Sequence, residues 1–198
     1  MIKQLPPDQI VDEIFDLYKH HGHLDYIGEP VSQLEHMAQS AELAKKDGYD
    51  EEVILAAFFH DIGHLCAGTN QPGMNGFGAL NHEELGAKFL EERGFSDRLV
   101  FLVKGHVAAK RYLTYKFPEY LNKLSESSKA TLSFQGGIMS KQEAEKFEVN
   151  PDANVMLKMR TWDDNAKVTD MEVTNFDEIK ALALKHLLTQ NSKQLLQP

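Results

Sequence analysis

Residues 51–65 read EEVILAAFFHDIGHL, an apolar run behind two acidic residues that carries His60 and Asp61 side by side near its end. Asp50 precedes the run and can cap a helix, and the acidic residues suit its first turn. Burying an imidazole and a carboxylate beside Phe58 and Phe59 costs several kcal/mol unless something compensates them. A metal ion is the simplest compensation. Adjacent helical residues point about 100° apart, so the pair can serve two neighbouring ions with the carboxylate bridging.

Working outward, the chain reads as helix after helix. Asp8 can cap a helix with Ile10, Ile14, Leu17 and Tyr18 on its apolar face. Glu29-Pro30 starts a second, which Gly48 ends. Asn81 can cap HEELGAKFLEER, stopped by Gly94. Ser96 can cap the helix running through LVFLVKGHVAAKRY, and LVFLV at 99–103 is read as helix because the spacing continues past it. Asn150-Pro151 starts another, and Thr174 or Asn175 the last. Strand content is expected to be close to nil, which predicts an all-α bundle, one domain over 1–198. Two stretches are irregular: Ala67–Leu80, Gly- and Asn-rich and long enough to suggest function, and LSFQGGIMS at 132–140.

The 198 residues are 42% hydrophobic and 26% charged, enough apolar content to exclude disorder as the main state. No stretch approaches the ~20 apolar residues of a membrane span. The start, MIKQLPPDQIVDEIFDLY, does not read as a signal peptide, and the single cysteine, Cys66, allows no internal disulfide. A cytoplasmic protein is the expectation. A net charge of −9 argues against nonspecific binding to nucleic acid or anionic membranes, so an anionic ligand must be drawn in by a local basic cluster.

Five of the nine histidines fall between 36 and 106. His36, His82 and His106 lie on separate predicted helices, and Asp163 on a later one. With His60 and Asp61 they make four imidazoles and two carboxylates, enough for two ions if Asp61 is shared between a His–Asp and a His–His–His set. Lacking thiolates, such a set suits Fe, Mn or Zn, and paired ions ~3.5–4 Å apart can clamp one substrate from both sides. His20, His21, His23 and His186 are expected to be solvated residues near helix ends. Basic residues stand one helical turn from three of the candidate ligands: His64 from His60, Lys110 from His106, Arg160 from Asp163. Together they suit a phosphonate or phosphate dianion, with Ser128, Thr131 and Gln135 as further polar contacts. Tyr26 and Glu29 precede the first candidate ligand.

His36, His60-Asp61 and Asp163 resemble the HD-domain pattern, and His82 and His106 resemble its dinuclear form. The likeness also takes in Tyr26-x-x-Glu29, HDIGH at 60–64, HVAAK at 106–110 and RTWDDNAK at 160–167. It implies a compact helical bundle around the metals, in which Asp163 rather than Asp164 is the ligand. It is strongest to the mixed-valence diiron oxygenases of aminophosphonate breakdown. That implies Fe(II)/Fe(III), dioxygen as co-substrate, and cleavage of (R)-2-amino-1-hydroxyethylphosphonate to glycine and phosphate. It further implies that Tyr26 occupies an iron before substrate arrives, that Glu29 meets the amine, and that Asp61, Tyr26 and Glu29 form the catalytic group. The expected partner is this small molecule, with no obligate protein partner. The rival reading is an HD-family phosphohydrolase on a small phosphate ester. A non-catalytic metal or phosphonate sensor comes third.

Overall fold

The structure, a computed structural model, describes residues 5–26, 28–66 and 72–195. Among the described residues there are eleven helices and no strand, only the isolated bridges Asp25–Ser32 and Gly73–Ala79. In chain order the helices are α1 (Pro7–His21), α2 (Gln33–Lys46), α3 (Glu51–Phe59), α4 (Ile62–Cys66), α5 (His82–Glu91), α6 (Asp97–Lys116), α7 (Pro118–Lys123), α8 (Glu126–Phe134), α9 (Lys141–Glu148), α10 (Ala153–Asn165) and α11 (Phe176–Leu195).

Local chemistry explains most boundaries. Asp50 accepts from the Val53 amide at 3.0 Å and starts α3, and Ser96 accepts from Leu99 at 3.3 Å and starts α6. Gly48, at φ +80°, follows the end of α2. Other expected starts move. Asp8 lies inside the first turn of α1 rather than capping it. Glu29-Pro30 stands outside α2, which Ser32 and Glu35 open with a reciprocal capping box. Asn81 precedes α5 in a left-handed conformation with no capping bond, and α10 begins at Ala153, past Asn150-Pro151.

The run expected as one helix over 51–65 breaks. α3 stops at Phe59, His60 and Asp61 form the junction, and α4 leaves from Ile62. Gly63 is the reason the new course packs: a Cβ there would stand 1.9 Å from the His82 carbonyl oxygen, so only glycine lets α4 approach the start of α5 this closely.

Helices α2, α3, α6 and α10 form the central packing, with α5 against α6, α4 against α5, and α1 against α11. Phe15, Tyr18, Phe58 and Phe59 are fully buried in the core and contact one another ring to ring. The candidate ligands sit at the edge of this apolar mass, four of its helices meeting around them. His186 departs from its solvated expectation: it is half-buried, stacks on Phe95 and accepts from the Ser96 amide at 3.2 Å.

Candidate metal centre and anion pocket

Six buried side chains converge from α2, the α3–α4 junction, α5, α6 and α10. They divide into two donor sets, His36–His60–Asp163 and Asp61–His82–His106. Asp61 stands between them. Its Oδ2 lies 3.4 Å from His60 Nε2 and 3.8 Å from His36 Nε2, while Oδ1 lies 3.2 Å from His82 Nε2 and 3.4 Å from His106 Nε2. Asp61 thus turns one carboxylate oxygen toward each donor set, the placement that bridging would require. The sharing differs: each side receives two histidines, and Asp163 adds a carboxylate on the His36 side, instead of a His–Asp facing a His–His–His set.

The tautomers follow from the hydrogen bonds. His36 Nδ1 donates to the Ala166 carbonyl at 2.9 Å, His60 Nδ1 to Ala57 at 2.8 Å and His106 Nδ1 to Val103 at 2.7 Å. A carbonyl can only accept, so each Nδ1 carries the proton and each neutral ring presents a bare Nε2 lone pair to the centre. His36 and His60 Nε2 nevertheless face each other at 3.1 Å, as do His82 and His106 Nε2. Among the described residues no carbonyl holds His82 Nδ1, so His82 can face His106 with Nε2–H in its neutral form. In the His36–His60 pair, two lone pairs so placed repel unless a cation lies between or beside them. This is the arrangement in which imidazoles bind metal, their far nitrogens held by backbone. Without metal a proton must stand in. Burial alone would lower the pKa of His60, but Asp61 and Asp163 outweigh it and push it up to about 9, while burial and His60 press His36 down to about 4. The donor set fits a metal centre of two ions.

A small pocket lies above this centre. All eight residues expected on the substrate side, Tyr26, Glu29, His64, Lys110, Ser128, Thr131, Gln135 and Arg160, line it. Lys110 is buried and donates to Thr131 Oγ1 at 3.1 Å; burial, and the nearby Arg160 charge, lower it to about 7. His64 Nδ1 accepts from the Ala79 amide at 3.1 Å, so in its neutral form Nε2–H is a donor. The break after Phe59 takes His64 off the helix of His60, and its ring stacks on His82 instead, at 4.1 Å.

Arg160 does more than face an anion. Its guanidinium donates to Asp163 Oδ2 at 2.6 Å, to Tyr120 Oη at 2.8 Å, and to Asp164. It fixes the far oxygen of Asp163, whose Oδ1 lies 3.5 Å from His36 Nε2. Asp164 instead joins Arg160 and Tyr120, which separates the two neighbouring aspartates.

Tyr26 stacks on His36, ring centroids 3.9 Å apart. Burial, with Asp61 and Asp163 nearby, raises its pKa well above the phenol range. The Asp25–Ser32 bridge and the bonds from Tyr26 N–H to the Val31 carbonyl and from Glu29 N–H to the Tyr26 carbonyl hold Tyr26 and Glu29 in place. Gly28 lies between them at φ +72°, a conformation that favours glycine. Glu29 pairs with Lys167 at 2.7 Å, a partner 138 residues away that no local spacing could indicate. Met74 and Phe77, also unforeseen, complete one wall. They belong to the irregular stretch over 67–80, of which 67–71 lie outside the described residues. From Pro72 to Leu80 that stretch closes a tight turn, Met74 N–H to the Gly78 carbonyl at 2.9 Å, which also presents Ala79 to His64.

An HD domain family model matches residues 31–133, ending before α10 and Asp163. Three proteins are similar over most of their lengths. An uncharacterized protein of Acanthamoeba polyphaga mimivirus is 42% identical over 90% of this chain and 82% of its own. The glycine-betaine-forming 1-hydroxy-2-(trimethylamino)ethylphosphonate dioxygenase of Leisingera caerulea is 39% identical over 88% and 89%. The hydroxymethylphosphonate dioxygenase of Gimesia maris is 38% identical over 87% and 85%.

Proposed function

Since the chain belongs to the HD-domain oxygenase family, we propose that it cleaves the carbon–phosphorus bond of a small 1-hydroxyphosphonate with dioxygen. The substrate we assign is (R)-2-amino-1-hydroxyethylphosphonate, giving glycine and phosphate. The reaction balances with one dioxygen per substrate: the hydroxyl-bearing carbon is oxidised to a carboxylate, dioxygen is reduced, and no outside reductant is needed.

One observation carries the reading. The two donor sets share a pocket with three cationic or hydrogen-donating side chains, Lys110, Arg160 and His64, in a chain of net charge −9. Such donors recognise the phosphonate, with Ser128 and Thr131 contributing hydroxyls and Gln135 an amide. His36, His60, Asp61, His82, His106 and Asp163 would hold two iron ions, which supply the dioxygen chemistry when bound. Tyr26 covers His36 and restricts solvent on that side of the pocket. Glu29 offers a carboxylate to the substrate's ammonium group. Both named dioxygenase relatives act on a phosphonate, one with a quaternary amine and one with no amine. The oxyanion cluster is thus the shared requirement and the amine end the variable one.

Two variants test the pocket. Lys110→Met should weaken binding of the hydroxyphosphonate about tenfold to hundredfold, the worth of one charge-assisted hydrogen bond, with both metals retained. Unchanged affinity in titration calorimetry would remove Lys110 from the anion site. Glu29→Gln should raise KM for the amine-bearing substrate more than for hydroxymethylphosphonate. Equal changes would separate Glu29 from the amine.

A further inference from the structure

We propose that Lys167 is a positioning residue that sets the charge selectivity of the pocket: it holds Glu29 in an ion pair that an ammonium-bearing phosphonate must open. The inference rests on the phosphonate reading above. Glu29 faces the pocket and Lys167 reaches it from behind, Nζ to Oε1 at 2.7 Å, with Ser125 Oγ at 3.5 Å as a second acceptor. Their side chains are 9% and 16% exposed, so the pair is largely removed from solvent.

The lysine is held in place by its neighbours. Ala166 accepts from His36, and Gln39 grips Val168 twice, donating to its carbonyl at 2.8 Å and accepting from its amide at 3.0 Å. The backbone on both sides of Lys167 is therefore tied to α2, the helix that carries His36. Only the flexible tail of the side chain remains free to move.

A nearly buried carboxylate with no partner is costly, and Lys167 removes that cost when no ligand is present. The paired carboxylate attracts a cation less than a free one does, and it neither rewards nor repels an uncharged ligand terminus. An incoming ammonium takes the Glu29 oxygen, and the Lys167 ammonium moves to Ser125. The pair thus lowers the preference for amine-bearing over amine-free phosphonates that Glu29 alone would impose.

Titration calorimetry of the iron-loaded protein without oxygen, with 2-aminoethylphosphonate and ethylphosphonate as probes, reads this directly. Lys167→Met should tighten 2-aminoethylphosphonate by about tenfold, as Glu29 gains the ligand as its partner, and should not tighten ethylphosphonate. Glu29→Gln should move selectivity the other way, weakening the amine and favouring the plain anion. Lys167→Arg, which keeps the pair, should restore wild-type selectivity. A merely structural lysine would shift both probes by one factor, and that result, or weaker amine binding in Lys167→Met, overturns the proposal. If the wild-type protein binds neither probe, the phosphonate reading fails and this inference falls with it.

Discussion

Asp61 places one oxygen beside each histidine pair, so the two halves of the centre meet in a single side chain. Burial opposes its charge, but His60, with the His106 and His82 imidazoles beside it, holds it well below the usual carboxylate range. Asp61→Ala should therefore release metal from both sets and abolish turnover, because two bound cations would lose the anion between them. Elemental analysis reads the outcome, and full metal content with normal turnover would remove the bridge. Lys110 is the residue at which function and stability conflict. Its folded pKa, about 7, lies below its ordinary 10.5, so between those values the unfolded chain binds more protons and stability rises with pH. The penalty is complete below about pH 7 and fades toward 10.5. Lys110→Met should stabilise the protein by at least about 1 kcal/mol at pH 7, with the gain lost at high pH. Urea melts of both proteins from pH 6 to 10 would show it, and a pH-independent difference would contradict it.

At the level of elements, the contact between α4 and α5 positions the second donor set. Gly63→Ala would drive a methyl into the His82 backbone, which must move, whereas Gly105→Ala meets only the flexible end of Met156. The first should cost about 1–3 kcal/mol and loosen metal held by Asp61, His82 and His106; the second should cost clearly less. Denaturant midpoints and metal content measured on both variants test the contrast, and equal effects would contradict it. The same elements show what a sequence can carry. His60-Asp61 stands out because charge inside an apolar run requires an explanation, and Asp50 and Ser96 mark helix starts because capping is local chemistry. The break after Phe59 is invisible to periodicity, since the apolar pattern continues through it and the cause is a close approach from His82. Helices α7, α8 and α9 are six to nine residues long, too short to display a face. Lys110 and Arg160 could be anticipated as basic residues one turn from candidate ligands, whereas Tyr26 and Glu29 could be anticipated only through the family resemblance. The Glu29–Lys167 pair and the clamp of Tyr120 and Asp164 on Arg160 could not, because long-range packing decides them.

Across the whole molecule, the donor sets tie together segments from His36 to Asp163, and no helix among the described residues is long and apolar enough to cross a membrane. A ligand that binds only the folded state stabilises it by RT ln(1 + [L]/Kd), about 4 kcal/mol at a thousandfold excess over Kd. Metal that gathers five segments should act in this way. Chelation should lower Tm by several degrees and readdition of Fe(II) should restore it; an unchanged Tm would mean that the buried histidines are held by protons rather than metal.

The central claim is oxygenation of a phosphonate at a paired metal centre. It is tested most directly by measuring dioxygen consumption and phosphate release together, on iron-loaded protein supplied with (R)-2-amino-1-hydroxyethylphosphonate. The account predicts one dioxygen consumed per phosphate and per glycine formed, with no phosphate under nitrogen. Phosphate released at the same rate without oxygen, or from a phosphate ester instead, would contradict it and identify a hydrolase.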